Sequence, residues 1–309
     1  MRIKRMRALL LAAMTIAAPA GAQQVPDSAF APAITRPAFA AGAGPLVLLD
    51  EGHTNFHTSD GRYYTFAQTL RRDGFVVRGL RAPFTREALV DARVLVIANA
   101  LHPGNDQDWK LPTPYAFTPE EIAAVEAWVR EGGSLLLIAD HMPFPGAAAD
   151  LAAEFGVMMG NGFAYDSTLQ ESKMRFARAD GSLADHPVTR GRDASERVDS
   201  VFAFTGQAFV VTAPDAEPLM TLARGTVLLL PSVAWQFSSI TPRADAGGQL
   251  QGAVLRHGRG RVAAFGEAAM FSAQRAGPQR QPMGMNDPRA PQNAQFLLNV
   301  MHWLTGVLD

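Results

Sequence analysis

Asp50, Glu51, His53, Asn55 and His57 fall within eight residues, directly behind the apolar run Leu46-Val47-Leu48-Leu49. Two acids, two imidazoles and a carboxamide at that density have the chemistry for a divalent ion or for proton transfer. Asp140-His141 follows a second apolar run, Ser134–Ala139, and Glu267 follows a third, Arg261–Phe265. A short continuous apolar run predicts a strand buried on both faces, as in a parallel sheet. In such a sheet every strand ends on one edge, and ligands bind there. The three clusters should therefore gather at that edge.

Two kinds of chemistry suit them. In the first, Asp50, His53 and His57 hold zinc or another divalent ion that keeps one position for water. His53 and His57 are four apart, but Thr54, Asn55, Thr58 and Ser59 disfavour the helix that would align them. In the second, no metal is needed. Asp140 precedes a turn into a helix, the place of a nucleophile elbow, and would act as nucleophile or general base. His141 or His53 would move protons, and Glu267 would be the paired carboxylate. A plainer reading stands beside both: Asp50, Glu51 and Asp140 tie down backbone amides of their loops, and Glu267 caps a short helix at 268–273. Glu51, Asn55 and Asn286 are the candidate substrate contacts, although Asn286 precedes the closing helix and could equally cap it. Trp109, beside Asp106 and Asp108, could stack on a sugar or simply cover the core edge. Asp185-His186-Pro187 predicts a turn.

The elements that must position these groups alternate. Strands are predicted at 45–50, 75–80, 93–98 and 134–139, with helices at 61–72, 86–91, 119–131 and 147–155. The third helix has the clearest ends. Thr118 and Glu121 form a T-x-x-E capping box, Pro119 occupies the first turn, and Gly132-Gly133 stops it. The order βαβαβαβα predicts a doubly wound, mostly parallel sheet with helices on both faces. From 157 to 248 short apolar patches separated by Gly, Pro and Asp predict a β-rich inserted region of hairpins. The parallel pattern returns at 261–265, a Pro- and Gly-rich loop covers 274–291, and Ala294, Leu297, Met301 and Leu304 mark a closing helix over 292–304.

Composition bounds the rest. The 309 residues are 48% hydrophobic, enough for a sizeable core. Residues 1–22 have a basic start (Arg2, Lys4, Arg5, Arg7), an apolar centre and Ala20-Gly21-Ala22, the pattern of a secretory signal peptide. Export to the periplasm or the outside is thus expected, with no stable membrane span after cleavage. Residues 23–44, rich in Ala and Pro, should be an extended leader to a single domain over 45–309. Four of the 28 Lys and Arg and none of the acids lie in 1–22, so a net charge of −1 becomes −5. Nothing offers a nucleic-acid footprint. There is no cysteine, which excludes disulfides and thiol catalysis. A P-loop, G-x-S-x-G, H-E-x-x-H and G-x-G-x-x-G are all missing.

The strand Val47–Asp50, the capped helix from Thr118 with Gly132-Gly133, the turn after Leu135–Ala139, and Phe265-Gly266-Glu267 ahead of Asn293–Leu304 together resemble the class I glutamine amidotransferase-like superfamily. Within it they are similar to the branch of trehalose-utilisation-like proteins and periplasmic domains of gliding-type ABC transporter auxiliaries. The resemblance spans most of 45–306 and implies a flavodoxin-like fold of three α/β/α layers. Asp140-His141 stands about where true amidotransferases carry their cysteine, so thioester glutamine hydrolysis is out. What remains is a hydrolase-like enzyme acting on a carbohydrate or amide, with or without a metal, or a non-catalytic domain that binds a small ligand or partner in an envelope process.

Overall fold

The computed structural model describes residues 24–309; the expected signal peptide, 1–22, lies outside them. Five strands form the parallel half of a nine-stranded sheet. They are β1 (Leu46–Asp50), β2 (Val76–Leu80), β3 (Val94–Ala98), β4 (Ser134–Ile138) and β9 (Gly260–Phe265). Their spatial order is β2-β1-β3-β4-β9, with every pairing between them parallel. The chain direction of assembly reverses between β1 and β3, the kind of switch point at which open sheets bind ligands. The other half is antiparallel: β8 (Leu250–His257) folds back on β9, and β5 (Val157–Met159), β6 (Phe209–Val211) and β7 (Glu217–Thr221) extend the edge beyond β8. Smaller sheets complete a mixed α/β architecture.

Period-two alternation divides the sheet's apolar residues between two cores. Val47, Leu49, Val96, Leu136 and Phe265 join Phe66 and Leu70 of α1 (Tyr64–Arg72) and Phe296 and Val300 of α3 (Asn293–Thr305). Leu48, Leu95, Leu135 and Val262 join Val125 and Val129 of α2 (Pro119–Arg130). Each such fully buried aliphatic side chain contributes about 1.5–3 kcal/mol. The unbroken apolar runs of β3 and β4 are explained by this burial on both sides.

Register places the chemistry. Ala98 pairs with Ile138 and Ile138 with Phe265, so Asn99, Ala139 and Gly266 leave the sheet level with one another. Asp140 and Glu267 come one residue later. Backbone bonds then draw the β1 loop over the same edge: Phe56 N donates to Asn99 O at 3.0 Å and Leu101 N to His53 O at 2.8 Å.

Three segments depart from expectation. Residues 24–44, expected as an extended leader, pack on the domain instead. Val25–Pro26 pairs with Ala273–Ala276, Asp27 bonds Asn286 and Arg275, and Phe39 packs edge-on to Phe75 at 5.1 Å. The Ala/Pro composition hid Phe30, Ile34 and Phe39, which pack against the core. Gly74 (φ 97°) makes room, since a Cβ there would lie 2.3 Å from Phe39 O. The loop expected over 274–291 contains a hairpin, Ala273–Ala276 with Gln281–Gly284. β8 was not expected; it is joined to β9 by the tight turn at Gly258-Arg259.

Candidate functional site

His53 sits between two carboxylates. Its Nδ1 is 2.8 Å from Asp50 Oδ1 and its Nε2 is 2.8 Å from Glu121 Oε1. Both ring nitrogens must then donate, so the ring is the imidazolium. Burial opposes that charge, but the bonds and charges of Asp50 and Glu121 outweigh it and raise the pKa. The acids are themselves engaged. Asp50 Oδ2 accepts from Asn55 Nδ2 (2.8 Å), and Glu121 accepts from Phe84 N (3.1 Å) and from Thr118 N (3.0 Å) in the capping box. One histidine thus ties β1 to the start of α2, with every polar atom of the group occupied.

His57, four residues on, is a different object. It is buried, packs 4.5 Å from the Tyr63 ring, and its Nδ1 has no hydrogen-bond partner. Burial, then Arg62 and His141, hold its pKa well below the usual imidazole value. It is neutral at pH 7.

His141 is neutral as well. Burial lowers its pKa to about 4. Nδ1 donates to Met142 O at 2.7 Å, which leaves Nε2 with the free lone pair. Aromatic rings hold the imidazole in place: Phe163 stacks on it at 4.7 Å and Trp235 meets it edge-on at 4.5 Å. Trp235 adopts φ 66°, a left-handed conformation that costs a bulky residue on the order of 1–3 kcal/mol.

Asp140 and Glu267 complete the centre. Burial, then the charge of Glu267, pushes the Asp140 carboxyl well above its ordinary range, against amide bonds from His141 and Ala268. Glu267 is fully buried and is also raised by burial, although Ala269 N (2.8 Å) and Met270 N (2.7 Å) donate to its two oxygens. Burial and the neighbouring acid therefore both favour the protonated form of Asp140, and burial favours the protonated form of Glu267. Tyr63, whose hydroxyl donates to Ala268 O at 3.0 Å, is raised by burial and by both acids. Asp140, Glu267 and Tyr63 are thus linked by charge, as are His57 and His141, and the His57 ring packs on Tyr63.

The remaining expected residues lie outside it. Glu51 accepts from Ser59 N and Oγ (2.8 and 2.6 Å) and pairs with Arg81 (3.2 Å), latching the loop. Asn286 donates to Asp27 and to Gln274 O, so it joins the N-terminal segment and not the sheet edge. Asn55 lines a groove of about 470 Å³ with Arg62, Phe56 and Trp109, and it orients the β1 loop by accepting from His53 N at 3.0 Å. The metal set Asp50, His53 and His57 is not assembled: His53 has no lone pair to give, and His57 turns to Tyr63. Among the described residues no group of three or more His, Asp or Glu is placed to hold a metal ion.

Sequence reasoning missed Tyr63, which fell inside the helix expected over 61–72 and precedes α1. It also missed Asn99, whose Oδ1 accepts from Asp140 N at 2.9 Å. Asn99 follows an apolar strand just as Asp140 does, so that signal was present. Trp235 had none, because its loop has no period.

No protein-family model and no curated protein matches the chain. Solved structures do. The mmIFT52 N-terminal domain aligns over 84% of this chain and 97% of its own at 15% identity, with a TM-score of 0.58. A cytoplasmic protein from Salmonella typhimurium aligns over 84% and 98% at 14% identity, with a TM-score of 0.50. These identities establish a shared fold only. A ThuA-like protein from Bacteroides uniformis aligns over 89% and 94% at 13% identity, with a TM-score of 0.45, too low to add to the argument.

Proposed function

We propose that this chain is an exported, hydrolase-like enzyme on a flavodoxin-like, amidotransferase-like scaffold, working by metal-free acid–base chemistry on an amide or carbohydrate. The observation that carries the reading is the placing of two buried acids with raised pKa values, Asp140 and Glu267, and a neutral, ring-clamped His141 at one strand-end edge. With Nδ1 fixed on Met142 O, His141 Nε2 takes a proton from water, and the resulting hydroxide attacks the substrate's electrophilic carbon. Asp140, the less enclosed of the two acids, donates its proton to the departing oxygen or nitrogen. One proton is thus taken and one given. Glu267 favours the protonated form of Asp140. Export rests on the pattern of residues 1–22.

The test is a screen of the purified protein against chromogenic amides, esters and glycosides, followed by His141→Gln on whichever is cleaved. Loss of a general base lowers turnover by about 10²–10⁴-fold. The acid limb of the wild-type pH profile should fall near pH 4, because His141 is held near 4 and not at 6.5. Turnover unaffected by His141→Gln overturns the reading. In that event a non-catalytic ligand-binding domain is favoured, since the oxygens of Glu267 are already occupied by backbone amides.

A further inference from the structure

Arg62 is not used by the acid–base centre, and its surroundings are unusual for a withdrawn cation. The guanidinium lies 3.6 Å over the Phe56 ring, and Nη1 donates to Phe56 O at 3.2 Å. Nε is buried with no partner. No acid among the described residues forms an ion pair with it, and burial alone lowers its pKa. Arg178, Arg192 and Arg261 are withdrawn too, yet each meets a carboxylate: Asp185, Glu196 and Asp309. Arg93 also lacks an acid but is bonded to Gly132 O beyond the end of α2. Arg62 likewise has a single carbonyl, Phe56 O, but keeps its buried Nε unpartnered.

It lines the groove of about 470 Å³ with Thr54, Asn55, Phe56, Asp106 and Trp109. The rings of Phe56 and Trp109, 5.6 Å apart, form an apolar wall beside the charge. α1 starts two residues later with no capping side chain and no acid in its first turn, so its positive end is not neutralised locally. Behind Phe56, His57 keeps its own Nδ1 unpartnered.

We propose that Arg62 is the anion-recognition residue of this groove and that the substrate carries a carboxylate on an apolar or ring-shaped body. This rests on the acid–base reading for the word substrate, though not for the binding. A carboxylate fits better than a phosphate because the lining holds one cation, Arg62, and one acid, Asp106; a dianion would be undercompensated. Phe56 and Trp109 take the carbon body, and Asn55 offers a neutral polar contact.

Calorimetric titration of the purified protein with benzoate and with acetophenone tests this. The two probes share a shape, differ in charge, and contain no bond that a hydrolase cleaves. Benzoate should bind saturably and at least about tenfold tighter than acetophenone. Arg62→Gln should erase that preference, and Arg62→Lys should keep part of it, with acetophenone affinity unchanged in both. Equal affinity of the two probes for wild type, absence of saturable benzoate binding at millimolar concentration, tighter binding of inorganic phosphate, or a preference surviving in Arg62→Gln would overturn the proposal. The wild-type comparison needs no variant, and thermal melts show whether the variants fold. If benzoate fails while His141→Gln still abolishes turnover, only the anion proposal falls; the reverse pattern sinks only the acid–base reading.

Discussion

His53 and the pair His57/His141 stand on the same sheet edge and have opposite fates. His53 has a carboxylate on each ring nitrogen and is charged. His57 and His141 are surrounded by rings, face no acid in hydrogen-bonding range, and are neutral. Four residues of chain separate His53 from His57. Residue type therefore says little about role here; the neighbours brought in by α2 and by the β4 loop decide it. A saturated imidazolium holds elements together, whereas a neutral imidazole with a free lone pair can move a proton.

The contrast can be broken most directly at His53. His53→Ala should lower stability by about 3–5 kcal/mol, because Asp50 would be left buried and without its cation. A urea denaturation curve measures this, and a change under about 1 kcal/mol would place His53 with its neutral neighbours. A second measure is pH. The folded pKa of His53 lies above 6.5, so its contribution is complete below pH 6.5 and is lost as pH rises through that raised value. Glu121 lies below 4.5 when folded, so its contribution is present above pH 4.5 and is lost as pH falls through the lowered value. The urea midpoint should therefore sag on the alkaline side in wild type and lose that sag in His53→Ala. The smallest effect is expected at His57. His57→Leu removes a buried nitrogen with no partner, so stability should stay within about 1 kcal/mol of wild type by thermal melt. A large loss would mean that His57 is bonded after all.

Much of this edge was legible beforehand. Unbroken apolar runs identified β1, β3, β4 and β9, because burial on both faces leaves no polar position in a central strand. The capping box of α2 was readable from Thr118, Pro119 and Glu121, since its bonds are local in sequence. That Glu121 also receives His53, 68 residues away, was not. Long-range polar pairing leaves no periodic trace, and the same holds for Tyr63 beside Glu267. β8 escaped notice because Leu250–His257 mixes Gln, Gly, Arg and His with its apolar residues, as suits a strand leading to a turn. The N-terminal segment was misread because composition was weighed over three anchoring residues.

That segment also belongs to the folding unit. Asp73 receives Ala38 N at 2.8 Å on Oδ1 and His302 Nε2 at 2.6 Å on Oδ2, so the strap, the end of α1 and the closing helix share one carboxylate. A chain started at Pro45 would remove the amide from one side of that knot, uncover Phe75, and leave the strand Ala273–Ala276 with an open edge. Open edges recruit other chains. The folding unit therefore includes the segment from Val25 to Phe39, and truncation to the first sheet strand should yield a protein that aggregates before it loses its fold.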